Sequence, residues 1–347
     1  MTRGPAGLHF GHLNIDQVLH LDAWPAPGRE VLVAREARAV GGSAANTAIV
    51  VARFGQPVRL MARIAADADG RWLREQLAQV PNLDLRDLQE DPHQATGRVT
   101  VLVGPSGERG LVTHRGPSPI LPRGWTPTAH LAYLYFTTYV ATPPATATGA
   151  LRLLQWAAAH PARPLLMLDL NDFFAERPQD AVFRWLEVLA RAPNPTVLVA
   201  NANAARVLAA RASEPEDLVR ALRNYARVAV LKMGARGAWL AAGDGDPRHV
   251  PPVPVTVRDT TGAGDAFNAG LLVGASAGWD WLTSAHLAGV LGALATTVPG
   301  AGLALPGPQA VADYLRAHPT LLPRPVRARL LERVGQDALS PRDDRAG

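Results

Sequence analysis

The chain has 347 residues, 48% of them apolar and 19% charged, the balance of a folded globular protein and not of a disordered one. It has no cysteine, which excludes disulfides, thiolate nucleophiles and cysteine-ligated metals. The net charge of +5 comes from 34 arginines and the single Lys232 against 30 acidic residues; the arginines are spread along the chain and not striped with aromatics, so no nucleic-acid partner is expected.

The N-terminal stretch MTRGPAGLHFGHLNID lacks the long apolar core of a signal peptide, and a cytoplasmic protein is expected. Within it, GLHFGHLNID reads as a strand, followed by two extended segments around a Pro-Gly turn. Next, GGSAANTAIVVARFG opens on glycines and a serine, then runs at helical spacing to a terminating Gly55. VRLMARIA is a strand and DGRWLREQLAQV a helix, and GRVTVLVGPSGERGLVTHRG is a hairpin turning at Pro105-Ser106-Gly107. Apolar extended runs then alternate with helical ones: LAYLYFTT with TATGALRLLQWAAAH, PLLMLDLN with AVFRWLEVLARA, TVLVAN with ANAARVLAARA, and PEDLVRALRNYA with VAVLKMG. Such alternation predicts an α/β fold of three layers, with a mostly parallel central sheet between helices. The extended segments at about 15–40 and 94–116 fall outside the alternation and predict a small β-sheet lid. Residues 281–312 carry no Asp, Glu, Lys or Arg, but His286, polar interruptions, glycines and Pro299 favour a buried helix and loop over a membrane span. From about 317 to 347 the chain is rich in Pro and Arg and reads as a loosely packed tail.

Four stretches carry chemistry. RDTTGAGDAFNAG, at 258–270, sets Asp265 behind Gly262, Ala263 and Gly264 at the start of an apolar helix. Glycines let backbone N–H groups converge there, and a helix N-terminus favours anions. Asp265 is either a base beside a bound phosphoryl group or simply the helix N-cap. GGSAANTA repeats the pattern with Gly41, Gly42, Ser43 and Asn46. In LNID, Asn14 and Asp16 stand two apart and point to one side of a continuing strand, suited to sugar hydroxyls, although taken alone a turn accounts for them more readily. Lys232 ends a strand before a glycine turn, where a compact ammonium suits phosphate. No P-loop or zinc motif occurs.

The two glycine-led stretches, in order and spacing with LNID, the hairpin and LKMGARG, resemble the signature motifs of the ribokinase-like (PfkB) carbohydrate kinases, over about residues 7–316. The resemblance implies an ATP-dependent kinase that phosphorylates a hydroxymethyl group of a sugar or similar molecule. It implies Asp265 as base and Gly262, Ala263 and Gly264 as anion hole. Asn14, Asp16, Gly41, Gly42, Ser43 and Asn46 would touch the acceptor, and Asn201, Lys232, Gly234, Gly237 and Gly264 the ATP. Mg²⁺ is implied as cofactor, with a monovalent cation such as K⁺ at Asp259 and Thr261, and a homodimer through the lid. A nucleoside kinase of the same fold, or a catalytically inactive sugar- or nucleotide-binding regulator, are the alternatives. Two positions depart from the pattern: Ser43 replaces a lysine common in ribokinases, and Ala204 replaces the Glu of an Asn-x-x-Glu motif that organises Mg²⁺ through water.

Overall fold

In the computed structural model, residues 6–105, 108–125, 131–177 and 179–338 are described; the expected Ser106-Gly107 turn and the last part of the tail, 339–347, lie outside them. In chain order the first elements are β1 (Ala6–Phe10), β2 (Asn14–Leu21), β3 (Val33–Gly41), α1 (Ser43–Arg53), β4 (Val58–Met61), β5 (Arg63–Ala65), α2 (Ala68–Ala78), β6 (Leu83–Asp84), β7 (Gln89–Asp91), β8 (Arg98–Val103) and β9 (Arg109–His114). Then come β10 (Leu131–Thr137), α3 (Pro144–Ala159), β11 (Leu165–Leu170), α4 (Asp172–Glu176), α5 (Asp180–Arg191), β12 (Thr196–Asn201), α6 (Ala202–Leu208), α7 (Pro215–Leu222) and β13 (Val228–Lys232). The last are β14 (Ala238–Ala242), β15 (Arg248–Val250), α8 (Ala263–Ser276), α9 (Trp281–Ala295), α10 (Pro308–Ala317) and α11 (Arg324–Ala338).

Strands such as TVLVAN and VAVLK are apolar at nearly every position because both faces are covered, as parallel strands require. Successive side chains alternate between two cores. Val197 and Val199 join the core that holds α1, α8 and α9, whereas Leu198 and Ala200 join the core under α5 and α7. This alternation makes the expected three layers around a sheet ordered β15-β14-β13-β12-β11-β10-β1-β4-β6, parallel from β6 to β13. β14 and β15 add to the β13 edge antiparallel. A separate sheet, β3-β2-β8-β9, forms from the two segments that broke the alternation.

The charge-free stretch contains α9, a buried helix, and no helix among the described residues is long and apolar enough to cross a membrane. The segment read as a loose tail behaves differently up to Ala338. Leu330 and Val334 of α11 are fully buried in the first core, and Arg333 donates to the Phe54 carbonyl. Apolar residues four apart on one helical face account for this packing, which the surrounding Arg and Pro obscured in the sequence.

Candidate active site

Every parallel strand delivers its C-terminal end to one edge of the sheet, where ligand sites form in open α/β folds. There the chain leaves β1, enters the small sheet through β2 and returns through β3 directly into α1. Asn14 and Asp16 are both buried on β2, and Asn14 Nδ2 donates to Asp16 Oδ1 at 2.7 Å. Gly41 pairs with Asn14 across β2–β3, and a Cβ on it would lie 2.1 Å from Asp16 Oδ1, so only glycine leaves room for this carboxylate. Gly42 turns the chain into α1 at φ 100°, with its own Cβ position 2.3 Å from the His12 carbonyl.

α8 starts at Ala263 with Gly262 as N-cap in the left-handed region, φ 74°, and no side chain caps it. The Ala263 N–H turns back to the Thr260 carbonyl at 3.3 Å, the N–H groups after it have no side-chain cap, and Gly264 is exposed. Asp265 is the third residue of the helix, so the capping reading fails. Its Oδ2 accepts from Asn46 Nδ2 at 2.7 Å, and Asn46 Oδ1 accepts from the Gly302 N–H at 3.0 Å. Burial pushes the Asp265 carboxyl up to about 6, against the hydrogen bonds of Asn46 and Ser43 and the charge of Lys232, which hold it down. Asp16 is pushed up to about 7, by burial first; Asn14 opposes this, and the charges of Asp265 and Asp259 add to it.

Three residues that the sequence reading did not single out, Tyr135, Asp169 and Asn268, join Lys232 in tying this arrangement to the sheet. Tyr135, Asp169 and Lys232 each lie two residues from a core side chain on the α8 face (Tyr133, Met167 and Val230), so all three project toward α8. Lys232 Nζ donates to Asp169 Oδ1 at 2.8 Å and to Asn268 Oδ1 at 3.5 Å. Asn268 Nδ2 donates to Asp169 Oδ2 at 2.9 Å and to the Tyr135 hydroxyl at 3.0 Å. Thr47 Oγ1 of α1, whose nearest acceptor is the Ser43 carbonyl at 2.9 Å, lies 3.3 Å from both the Tyr135 hydroxyl and the Asp265 carbonyl and completes the chain. The Lys232 ammonium stands 3.5 Å from the Cβ position of Gly264, so it is fixed behind the helix N-terminus. In the sequence the only signals were a carboxylate inside the apolar run PLLMLDLN and an Asn one turn after Asp265.

The remaining predicted residues are nearby or otherwise engaged. Asn201 pairs with Lys232 across β12–β13, and its side chain caps α6 by accepting from the Ala204 N–H at 2.8 Å. Gly234 and Gly237, at φ 58° and 80°, turn β13 into β14. Ala204 is fully buried in the second core, and Asn203 beside it donates to Asp172 Oδ1 at 3.1 Å. Asp259 Oδ1 accepts from both the N–H and the hydroxyl of Thr261, and Oδ2 from the Gly300 N–H. Its oxygens therefore hold two loops together, and a monovalent cation would have to share them.

The pfkB family carbohydrate kinase model matches residues 8–308. The chain belongs to that family. It is accordingly an ATP-dependent kinase of a sugar-like molecule, in a family that usually uses a divalent metal. This kinase is 33% identical to a fructokinase of Klebsiella pneumoniae, covering 77% of the chain and 88% of the relative. It is 30% identical to the aminoimidazole riboside kinase of Salmonella typhimurium, covering 80% and 88%. Among solved structures, a ribokinase from Thermotoga maritima superposes at a TM-score of 0.74 with 20% identity, covering 90% of this kinase and 99% of that chain. A fructokinase from Xylella fastidiosa superposes at 0.73 with 22% identity, with the same coverage. At those identities the likeness shows the fold.

Proposed function

We propose that Asp265 is the base that receives the proton of the acceptor hydroxymethyl group, and that the uncapped N-terminus at Gly262, Ala263 and Gly264 holds the transferring phosphoryl group. One observation carries this reading. Asp265 sits in the first turn of an uncapped helix, bonded to Asn46 in front and backed by the Lys232 ammonium beside Gly264.

Asn14, Asp16, Gly41, Gly42, Ser43 and Asn46 would line the acceptor, with Asp16 and Asn14 taking its other hydroxyls. Asn201, Lys232 and the turn from Gly234 to Gly237 would line the ATP. The acceptor oxygen forms a bond to the γ-phosphorus, the bond from that phosphorus to the β–γ bridging oxygen breaks, and ADP carries away the electron pair. Such loose transition states need positioning and charge neutralisation more than a strong base. Asp265, pushed up to about 6, is ionised at neutral pH yet able to take a proton late in the transfer. Helix N–H groups and Lys232 neutralise the equatorial oxygens, and the Asp169 pair keeps the ammonium from swinging away.

Among the described residues no group of three His, Asp or Glu could chelate a metal, which fits a cation carried on the nucleotide. We assign that role to Mg²⁺, which would neutralise the polyphosphate; the exposed Asp172 and Asn203 would hold its water shell in place of the acid missing at Ala204. The small sheet would act as a lid over the acceptor. Its exposed Val33, Leu111 and Val112 are where two lids would pair in a homodimer. The test is ADP formation from ATP and Mg²⁺ across neutral sugars, sugar acids, sugar phosphates and nucleosides. Turnover with any of them supports the reading; ATP binding without turnover would favour the inactive regulator.

A further inference from the structure

His9 of β1 is wholly enclosed, 0% exposed, and both of its ring nitrogens are engaged. Nδ1 lies 3.1 Å from the Ala44 carbonyl and Nε2 lies 2.9 Å from the Tyr133 hydroxyl. A carbonyl can only accept, so Nδ1 carries the proton and Nε2 accepts the Tyr133 O–H. Burial pushes the imidazole down to about 3, against the bond to Ala44, so His9 is neutral in the folded chain at ordinary pH. An aliphatic side chain would fill this strand position without the cost of burying a polar ring.

What His9 holds is the start of the acceptor helix. Ala44 is the second residue of α1, with Ser43 before it and Asn46 two places after. Its carbonyl is taken by His9, and its Cβ packs on Gly11, where an added Cβ would lie 2.5 Å away. The Tyr133 side chain that fixes Nε2 crosses Gly7, where a Cβ would lie 2.3 Å from the hydroxyl, so only glycine admits it. The Tyr135 ring packs 4.9 Å from the imidazole, and its hydroxyl accepts from Asn268 in the site. α1 opens on Gly42 without a side-chain cap, so its first turn depends on outside contacts of this kind.

We infer that His9 is a positioning residue for the transfer: its Nδ1–H fixes the first turn of α1, and with it the angle at which Ser43 and Asn46 meet Asp265. The inference rests on the reading of Asp265 as base and names a residue behind it that is too enclosed to touch either substrate. Asn46 and Ser43 are the hydrogen bonds that hold the Asp265 carboxyl down, and a first turn that drifts would loosen both. His9 is uncharged, and the groups whose charge bears on Asp265 or feels it are Asp16, Asp169, Lys232, Tyr135 and Tyr139. A neutral replacement of His9 leaves all five in place, so a change in the titration of Asp265 would report geometry.

The test pairs His9→Asn with His9→Gln. Asn puts its amide where Nδ1 stood and can still donate to Ala44, whereas Gln puts its amide at the Nε2 position and gives up Ala44. Each variant loses one of the two bonds, so the melting temperature should fall in both. Asp265 is followed by carbon-13 NMR titration of its carboxyl in the ligand-free enzyme and by the acid limb of kcat/KM. His9→Gln should move both up by about half a pH unit or more and lower kcat/KM for the acceptor about tenfold, with the KM of ATP within about twofold. His9→Asn should keep the wild-type titration and acceptor kcat/KM despite its lost stability, and Tyr133→Phe, which also spares the Ala44 bond, should match it. The shifts of His9→Gln and Asn46→Ala should be less than additive, because they act through one contact. Equal shifts in the Asn and Gln variants, no shift in either, or a His9→Gln shift that adds in full to that of Asn46→Ala would overturn the inference and leave the kinase reading intact. If Asp265→Asn keeps a normal kcat, the base reading fails, and the ligand-free titration alone decides the inference: a shift in His9→Gln and none in His9→Asn upholds it, and any other pattern overturns it.

Discussion

Asn46 donates a 2.7 Å hydrogen bond to Asp265, joining two glycine-led helix starts that lie 219 residues apart in the chain. Its other side-chain atom accepts the Gly302 N–H, so Asn46 cannot turn away without breaking both bonds. This bond is the largest influence holding the Asp265 carboxyl down against burial.

Asn46→Ala should therefore move the acid limb of the kcat/KM–pH profile to higher pH as well as slow the enzyme. Losing a hydrogen bond to a charged group costs roughly 1.5–3 kcal/mol, about ten- to a hundredfold in kcat/KM. The loss should be far from additive with that of Asp265→Asn, because both remove one unit. An unshifted acid limb would mean that Asn46 acts on the acceptor alone.

Lys232 and Asp169 form a largely buried pair. Lys232→Met would leave the Asp169 carboxylate in the core with only Asn268 to donate to it, and breaking such a pair typically costs about 3–5 kcal/mol. Thermal unfolding should show a large drop that Asp169→Asn in the same chain partly reverses. Asp169→Asn alone should leave acceptor KM unchanged while kcat falls, since the ammonium loses its tether. An Asp169→Asn variant with unchanged kcat would make the pair purely structural.

The raised carboxyls also set a pH dependence of stability. Asp16 and Asp265 bind protons more tightly folded than unfolded, so their contribution to stability is present at low pH and is lost as pH rises through about 6 to 7. Asp16→Asn should accordingly raise the melting temperature at pH 8, with a gain in stability on the order of 1–3 kcal/mol that vanishes near pH 4. Equal melting temperatures at both pH values would contradict the buried, raised state of this carboxyl. The same variant should weaken acceptor binding while ATP binding stays unchanged.

Both glycine-led helix starts were legible because their requirements are local: positive φ and an unobstructed helix N-terminus demand glycine in the sequence itself. The layers were legible because apolar runs alternated with helical spacing. The Tyr135–Asp169–Asn268–Lys232 chain was not, because each member is a single polar residue whose meaning depends on the face its strand or helix presents. The residues around Asp265 left base and cap both open for the same reason; Gly262 holds the cap position. The packed α11 was hidden by its Arg and Pro content.

Ala204 shows the limit of pattern matching. The motif suggested that a Glu there would restore metal use, but the residue is wholly enclosed by the second core. Ala204→Glu should lower the melting temperature, with a loss of stability of about 1–3 kcal/mol for overpacking and more if the carboxylate stays buried, and should not reduce the Mg²⁺ needed for half-maximal rate. A stable variant with lower Mg²⁺ demand would show that the side chain reaches the nucleotide after all. Asp172→Asn, on the exposed side, should raise that demand instead.

The base assignment of Asp265 is tested most directly by kcat of Asp265→Asn, measured with melting temperature and ligand binding on one preparation. Asn keeps the shape and can still accept from Asn46, so the fold should be no less stable at neutral pH and ATP and acceptor should still bind. It cannot take the proton, and kcat should fall by on the order of 10²-fold or more. A folded, ligand-binding Asp265→Asn enzyme with near-normal kcat would contradict the account.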